Sequence, residues 1–371
     1  MIQPNKHLLD IYRITERMDE RSQFVRLDRN ERVSPFPEEV FREMLNALRP
    51  ESFCAYPDPS PLYSRLSRQI SLPEDCLYLT NGSDAAIRMI FQTFLRPGDC
   101  VVFPDPTYAM YAIYAKIFEA RAATIAYSAT GRLDVDALIR LLQNGVRMLA
   151  VANPDQPVGA VIPEADLRRL AACTRETGTL FLVDEAYYPF CSQTAVPLIR
   201  EFDNMIVTRT FSKAVGLAGL RLGCMAAHPA MIHHIQRIRG AHEVNAAAIA
   251  IGSYMLDHPE LSDAHLADVR AGRAILIAAA QGLGLLCPDC PTNFQLIRFP
   301  GLTGTAHIVQ ALKEKGFLVK GEFSAPVVQD CIRITLSGPA VMQSFVKALQ
   351  EAVRELGLVE TSKENNGRVR S

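Results

Sequence analysis

The feature that most constrains this chain is a rhythm. Between residues 76 and 225, short β-prone runs (76–79, 100–103, 122–126, 148–152, 180–183, 205–208 and 222–226) alternate with stretches of helical periodicity (83–95, 108–118, 134–143 and 164–177). Strands separated by helices of this length do not pair as tight hairpins. They pair in parallel through crossover helices, which cover both faces of the sheet. The expectation is an α/β fold: a three-layer αβα large domain on a mostly parallel sheet. After Pro229 the pattern turns helical to about residue 283, and two β-prone runs, 294–299 and 331–336, bracket a helix at 306–315. That predicts a smaller α+β domain. The division expected is 1–40 as an N-terminal arm joining the small domain, 41–258 as the large domain, 259–359 as the small domain, and 360–371 as a polar, frayed tail.

With 371 residues, of which 49% are apolar, the chain has enough material for a large core in two domains. A formal net charge of −1 gives no long-range field to attract nucleic acid or an acidic membrane surface, so anion recognition must rest on a few placed groups. The first ten residues carry no signal-peptide pattern, and the apolar stretches fall short of the ~20 residues that span a bilayer. Nine cysteines, mostly single within apolar runs, suit a reducing compartment, and the expected location is the cytoplasm. Cys287 and Cys290 have the spacing of a metal half-site, but no second pair or histidine cluster completes it, so no metal is expected.

The segment Thr210-Phe211-Ser212-Lys213-Ala214-Val215-Gly216-Leu217-Ala218-Gly219-Leu220-Arg221 sets one lysine among hydroxyl, small and apolar neighbours. Desolvation there disfavours the ammonium and leaves a neutral amine able to form a Schiff base with an aldehyde. Arg221 can hold a phosphate through two parallel hydrogen bonds. On this segment alone, a surface loop with two ordinary cations is the alternative.

Other segments narrow the choice. Asp184 follows a strongly apolar strand and falls at its carboxyl end, where open α/β sheets bind ligands. A carboxylate there keeps a pyridinium nitrogen protonated and the ring electron-poor, although Asp-Glu after a strand is equally a helix cap. Asn81-Gly82-Ser83-Asp84 opens a helix and leaves backbone N–H groups free for a phosphate. Tyr108, after Pro106-Thr107, is placed to stack on a flat ring or to fill the core. All of these features fall at predicted strand ends.

The ordered set Tyr56-Pro57-Asp58-Pro59, Gly82-Ser83-Asp84, Pro106-Thr107-Tyr108, Pro157-Val158-Gly159, Asp184-Glu185-Ala186-Tyr187, Ser212-Lys213 with Leu217 to Arg221, and Arg333-Ile334-Thr335 resembles the fold type I enzymes that use pyridoxal 5'-phosphate. Within them it is similar to the aminotransferases related to histidinol-phosphate aminotransferase. The resemblance covers nearly the whole chain and implies an aspartate aminotransferase-like fold. It implies that Lys213 binds the cofactor covalently and then carries a proton between substrate and cofactor. Asp184 would pair with the pyridine nitrogen and Tyr187 would donate to the ring hydroxyl. The Gly82 turn with the Ser83 and Asp84 amides, Thr210, Ser212 and Arg221 would hold the phosphate, and Tyr108 would stack on the ring.

The resemblance further implies that Tyr56 reaches the cofactor of a neighbouring subunit, hence a homodimer with shared sites, and that Arg333 grips the substrate's acidic group. Three positions depart from the family. Gln156 stands where an asparagine meets the ring hydroxyl, with Asn153 as the alternative for that role. Lys320 stands where an arginine faces the substrate. The run Leu27-Asp28-Arg29-Asn30-Glu31-Arg32, which brings Asn30 to the substrate, adds arginines near the entrance. These changes argue against histidinol phosphate itself and leave a small phosphorylated amine or amino acid. The expected reaction moves an amino group from such a donor to a 2-oxo acid. A decarboxylase of phosphoserine or phosphothreonine type, and a non-catalytic binding protein on the same fold, are the alternatives.

Overall fold

The computed structural model describes residues 2–11 and 21–358; the expected tail at 360–371 lies outside the described residues. The strands, in chain order, are β1 (Val25–Leu27), β2 (Leu77–Thr80), β3 (Cys100–Asp105), β4 (Arg121–Ala126), β5 (Val146–Ala152), β6 (Leu180–Asp184), β7 (Met205–Thr210), β8 (Gly223–Ala227), β9 (Phe294–Arg298), β10 (Phe317–Val319) and β11 (Cys331–Thr335). Seven of them form one sheet in the order β2-β8-β7-β6-β5-β3-β4. Each lies within two residues of its predicted position.

The sheet is parallel except for β8, which runs antiparallel to both β7 and β2. The reason is the connection. Residues 211–222 hold only a single 3-10 turn, Ala218–Leu220, so β7 and β8 are joined without the crossover helix a parallel return requires. Every residue of β6 and β8 is buried, as expected for strands covered on both faces, whereas the edge strand β4 alternates exposed and half-buried positions. Apolar clusters pack on the two faces: one with Leu149, Phe181 and Leu170, the other with Phe91, Tyr111 and Ile206. The helix Val135–Leu142 starts at a side-chain cap, where Asp134 accepts from the Ala137 amide at 2.9 Å.

Beyond Pro259 a third apolar cluster gathers around Leu276, Phe299, Ile332 and Phe345. The antiparallel pair β9–β11 and the long helices Pro259–Gly282 and Pro339–Glu355 build it. The periodicity reading missed that last helix. It also missed the parallel pair β1–β10, which ties the N-terminal segment into this cluster through Leu27. Strands of three residues carry too little pattern to be seen in sequence. Among the described residues, no helix is long and apolar enough to cross a membrane, and no group of metal-ligating side chains assembles. All nine cysteines are free, six of them buried.

Candidate active site

The carboxyl ends of the parallel strands meet on one rim of the large sheet. A cavity of about 540 Å³ opens there, within the usual range for a small-molecule site. Asp184, Tyr187, Lys213 and Gln156 line it, with Tyr108 on one wall. Ser83, Asp84, Thr210, Ser212 and Arg221 line it as well. Ten of the expected site residues thus converge although they come from five separate loops.

Asp184 ends β6 in register with Thr208 of β7. Thr208 Oγ1 donates to its Oδ1 at 2.9 Å and Tyr111 Oη to its Oδ2 at 3.4 Å. Burial pushes this carboxyl up to about 6, against those hydrogen bonds. Glu185, the next residue along the strand direction, turns the opposite way into a buried ion pair with Arg209 at 2.9 Å and takes hydrogen bonds from Thr194. Alternation at a strand end, rather than helix capping, explains this Asp-Glu pair. Thr208 and Tyr111 were not foreseen. The only signal for Thr208 was a hydroxyl near the end of a strand, and its meaning needed the strand order.

Lys213 sits past β7 with its Nζ donating to the Arg29 carbonyl at 3.0 Å. It is accessible only in part, where it lines the cavity. Burial first, then the Arg333 guanidinium, pulls its ammonium down to about 8, so a neutral amine is accessible near physiological pH. Arg29 and Glu31 line the same cavity.

The cavity lining is also rich in donors. Thr210 Oγ1 donates to Ser212 Oγ at 2.9 Å, and Arg221 Nη1 reaches that oxygen at 3.4 Å. Gly82 does not line the cavity but shapes it. Its φ of +80° is in the left-handed region, and a Cβ there would fall 2.7 Å from Arg221 Nη2, so only glycine lets the guanidinium lie against the start of the Gly82–Phe94 helix. Tyr108 Oη donates to Asp84 at 3.2 Å, and its ring meets Tyr111 edge-on with centroids 5.8 Å apart.

The remaining expected residues are placed differently. Asn30 is buried and does not line the cavity; its Nδ2 donates to Tyr187 Oη at 2.8 Å, so it orients that phenol instead of meeting a substrate directly. Burial raises the Tyr187 phenol to about 12, which keeps it protonated. Arg333 is buried and does not line the cavity; its Nη2 donates to the Asp28 carbonyl at 2.8 Å, and its Nε has no hydrogen-bond partner among the described residues. Lys320 is exposed and does not line the cavity. It pairs with Arg333 only through the backbone, and strand alternation buries Val319 and turns the Lys320 side chain outward.

Asn153 cannot replace Gln156. Its amide is committed to Ile162, accepting from that backbone N–H at 2.8 Å. Arg32 is likewise no entrance cation: it stacks over Phe36 at 4.1 Å and donates to the Ser34 carbonyl at 3.0 Å. Tyr56 is 81% exposed, stacked on His242 at 4.1 Å, and lies outside the cavity of its own chain.

With this geometry in place, comparison with known proteins is informative. Residues 38–349 match the family described as aminotransferase class I and II. Histidinol-phosphate aminotransferase 1 of Burkholderia lata is 32% identical over 338 residues, 90% of this chain and 93% of that protein. The histidinol-phosphate aminotransferase of Symbiobacterium thermophilum is 35% identical over 302 residues, 79% of this chain and 81% of that one. Among solved structures, histidinol-phosphate aminotransferase from Sinorhizobium meliloti in complex with pyridoxal-5'-phosphate superposes with a TM-score of 0.85 at 24% identity, covering 96% of this chain and 99% of that chain. The family match spans both the strand-end loops that form the cavity and the C-terminal segment that backs it. The chain belongs to the class I and II aminotransferases.

Proposed function

We propose that this aminotransferase works with pyridoxal 5'-phosphate seated at the sheet rim, and that it moves an amino group between a small amino acid or phosphorylated amine and a 2-oxo acid. One observation carries the reading: a desolvated amine, Lys213, and a buried acid, Asp184, line the same cavity as a set of hydroxyl and guanidinium donors suited to a phosphate. The glycine cradle at Gly82 and the cluster of Thr210, Ser212 and Arg221 suit the phosphate. The cofactor, when bound, supplies an aldehyde to take up the amino group and a ring that withdraws electrons.

The chain supplies positioning and proton control. Lys213 Nζ, neutral above about pH 8, binds the cofactor and afterwards moves a proton to and from the substrate carbon. Asp184, held by Thr208 and Tyr111, holds a proton at the ring nitrogen. Tyr187, oriented by Asn30, and Gln156 line the cavity where they would hold the cofactor's ring hydroxyl, and Tyr108 would pack against its ring. Arg333, buried near enough to Lys213 to lower its ammonium, is the cation that would bind the substrate's acidic group.

The substrate question shifts with the structure. Of the three departures that argued against histidinol phosphate, Lys320 and Arg32 lie away from the cavity, whereas Gln156 and Arg29, from the arginine-bearing run, both line it. The relatives' names then make histidinol phosphate the first donor to try. The exposure of Tyr56 supports a homodimer in which each chain completes the other's site. The separate apolar clusters support a large domain over 41–258 and a small domain over 259–359, with the 1–40 arm joined to the latter through Leu27. The reading places the enzyme in the cytoplasm.

The test is a pair of half-reactions on purified protein. A productive donor bleaches the cofactor's absorption band, a 2-oxo acid restores it, and Lys213→Ala performs neither. Turnover by that variant at wild-type rate sinks the proposal. Carbon dioxide released from phosphoserine or phosphothreonine without an acceptor replaces transamination with decarboxylation.

A further inference from the structure

Asp155 was not among the expected site residues, yet it is 1% exposed beside the cavity-lining Gln156, and among the described residues no basic side chain forms an ion pair with it. Its carboxylate accepts from three directions. Thr107 Oγ1 donates to Oδ1 at 2.8 Å, the Gln156 amide donates to the same oxygen, and Tyr127 Oη donates to Oδ2. Thr107 follows β3, Tyr127 follows β4 and Gln156 follows β5, and these three strands are adjacent in the sheet. One buried carboxylate therefore ties together the loops at three neighbouring strand ends.

Two of those loops carry cavity walls. Tyr108 is the neighbour of Thr107, and Gln156 is the neighbour of Asp155 itself. The turn is closed by the Asp155 amide on the Ala160 carbonyl at 2.8 Å and by the Gly159 amide on the Asp155 carbonyl at 3.0 Å. It is also pinned from behind: a Cβ on Gly159 would fall 2.6 Å from Cys290 Sγ, so the turn has no room to retreat. With its back fixed, the orientation of its cavity face is set by the groups Asp155 holds.

We propose that Asp155 is a positioning residue that sets Gln156 and Tyr108 against the cofactor ring, by accepting hydrogen bonds from Thr107, Tyr127 and the Gln156 backbone at once. This rests on the reading that the cofactor occupies the rim cavity. Asp155 takes no part in proton transfer to the substrate; it acts through the two residues beside it.

Two variants test acceptor geometry. Asp155→Ala removes every acceptor, whereas Asp155→Asn keeps an oxygen for Thr107 and the Gln156 amide and offers an N–H to the Tyr127 hydroxyl, which can accept. The expected result is cofactor affinity of the apoprotein weakened about tenfold by Asp155→Ala, equivalent to losing one or two net hydrogen bonds. The bound cofactor's absorption maximum and the pH midpoint of its band shift as well, and Asp155→Asn restores most of both. Tyr127→Phe and Thr107→Val, which lie off the cavity wall, give smaller shifts in the same direction and decide the matter if Asp155→Ala does not fold. A purely structural role lowers the thermal midpoint but leaves the spectrum and its pH midpoint unmoved; that outcome, or Asp155→Asn behaving like Asp155→Ala, overturns the proposal. Borohydride reduction of the wild-type holoenzyme followed by peptide mapping separates the two levels. Label absent from Lys213 means the cavity reading itself has failed; label on Lys213 with silent Asp155 variants means only this inference has.

Discussion

The rim of the large sheet and the wall that faces it are held by different kinds of contact. At the rim, Asp184 is fixed by its neighbour in strand register, Thr208, and by Tyr111, and both partners come from the same α/β layer. On the facing wall, Asn30 reaches Thr335 and Asn293 across 305 and 263 residues of sequence, and Arg333 reaches Asp28 across 305. Parallel strands hold the rim whether or not the wall is docked. The wall exists only when the N-terminal segment and the C-terminal segment meet, and few hydrogen bonds set its geometry. On the proposed reading, the rim holds the cofactor, which stays, and the wall serves the substrate, which comes and goes.

Variants on each side sharpen that contrast. The largest effect belongs to the rim: Asp184→Asn removes the charge expected to hold a proton at the ring nitrogen, and kcat should fall about 100-fold, the scale of one buried charge-assisted hydrogen bond. Steady-state kinetics with the best donor measures it, and a change under threefold breaks the assignment. On the wall, Arg333→Lys keeps the charge but loses the planar fork. The KM for the donor should rise roughly tenfold while kcat changes little, because ground-state and transition-state binding are lost together. An effect on kcat alone contradicts a substrate-gripping role.

How much of this was legible in the sequence follows the same divide. Lys213, Asp184, Tyr108 and the Gly82 turn were readable because each lies beside a strand whose apolar run announces it, and the end of a parallel strand is a place the chain itself marks. Asp184 was picked from sequence as the carboxylate at the strand's end, but the turn of Glu185 away from the cavity to Arg209 was not foreseen, since it depends on the phase of alternation at the last residue. Lys320 was misread for the same cause: a shift of one residue turns a strand side chain from inside to outside. Asn30 was readable as a polar residue near the site, but its task of orienting Tyr187 was not, because β1 and β10 are three residues each and pair across almost the whole chain. The reversal of β8 needed the observation that residues 211–222 hold no crossover helix. Asp155 went unread because nothing local says that Thr107 and Tyr127 end on the same side of the sheet.

A smaller effect tests the wall's dependence on single contacts. Asn30 has a φ of 56°, and its side chain is the hydrogen-bond donor to Tyr187. Asn30→Ala loses that donor and adds left-handed backbone strain, each worth about 1 kcal/mol. Asn30→Gly relieves the strain without restoring the donor. Both variants should lose about fivefold in kcat, and only the alanine variant should also lose thermal stability. Equal stabilities would show that the backbone there relaxes and that the wall is more forgiving than its long-range contacts suggest.

The smallest predicted effect concerns the rim without its cofactor. Burial raises the Asp184 carboxyl to about 6 from its ordinary value near 4, so the folded apoprotein binds a proton there more tightly than the unfolded chain does. The stability this lends is present in full below about pH 4 and is lost as pH rises through 6, after which the carboxylate depends on its donors. Thr208 Oγ1 is the shorter of the two hydroxyl contacts, at 2.9 Å against 3.4 Å for Tyr111. Thr208→Val keeps the shape and removes that donor. In urea unfolding of the apoprotein, the variant should be less stable than wild type by about 1–2 kcal/mol at pH 8, and the gap should narrow at pH 4.5, where the protonated carboxyl no longer needs the hydroxyl. The same gap at both pH values would mean that Thr208 stabilises the rim by packing and that strand register, not the hydrogen bond, holds Asp184 in place.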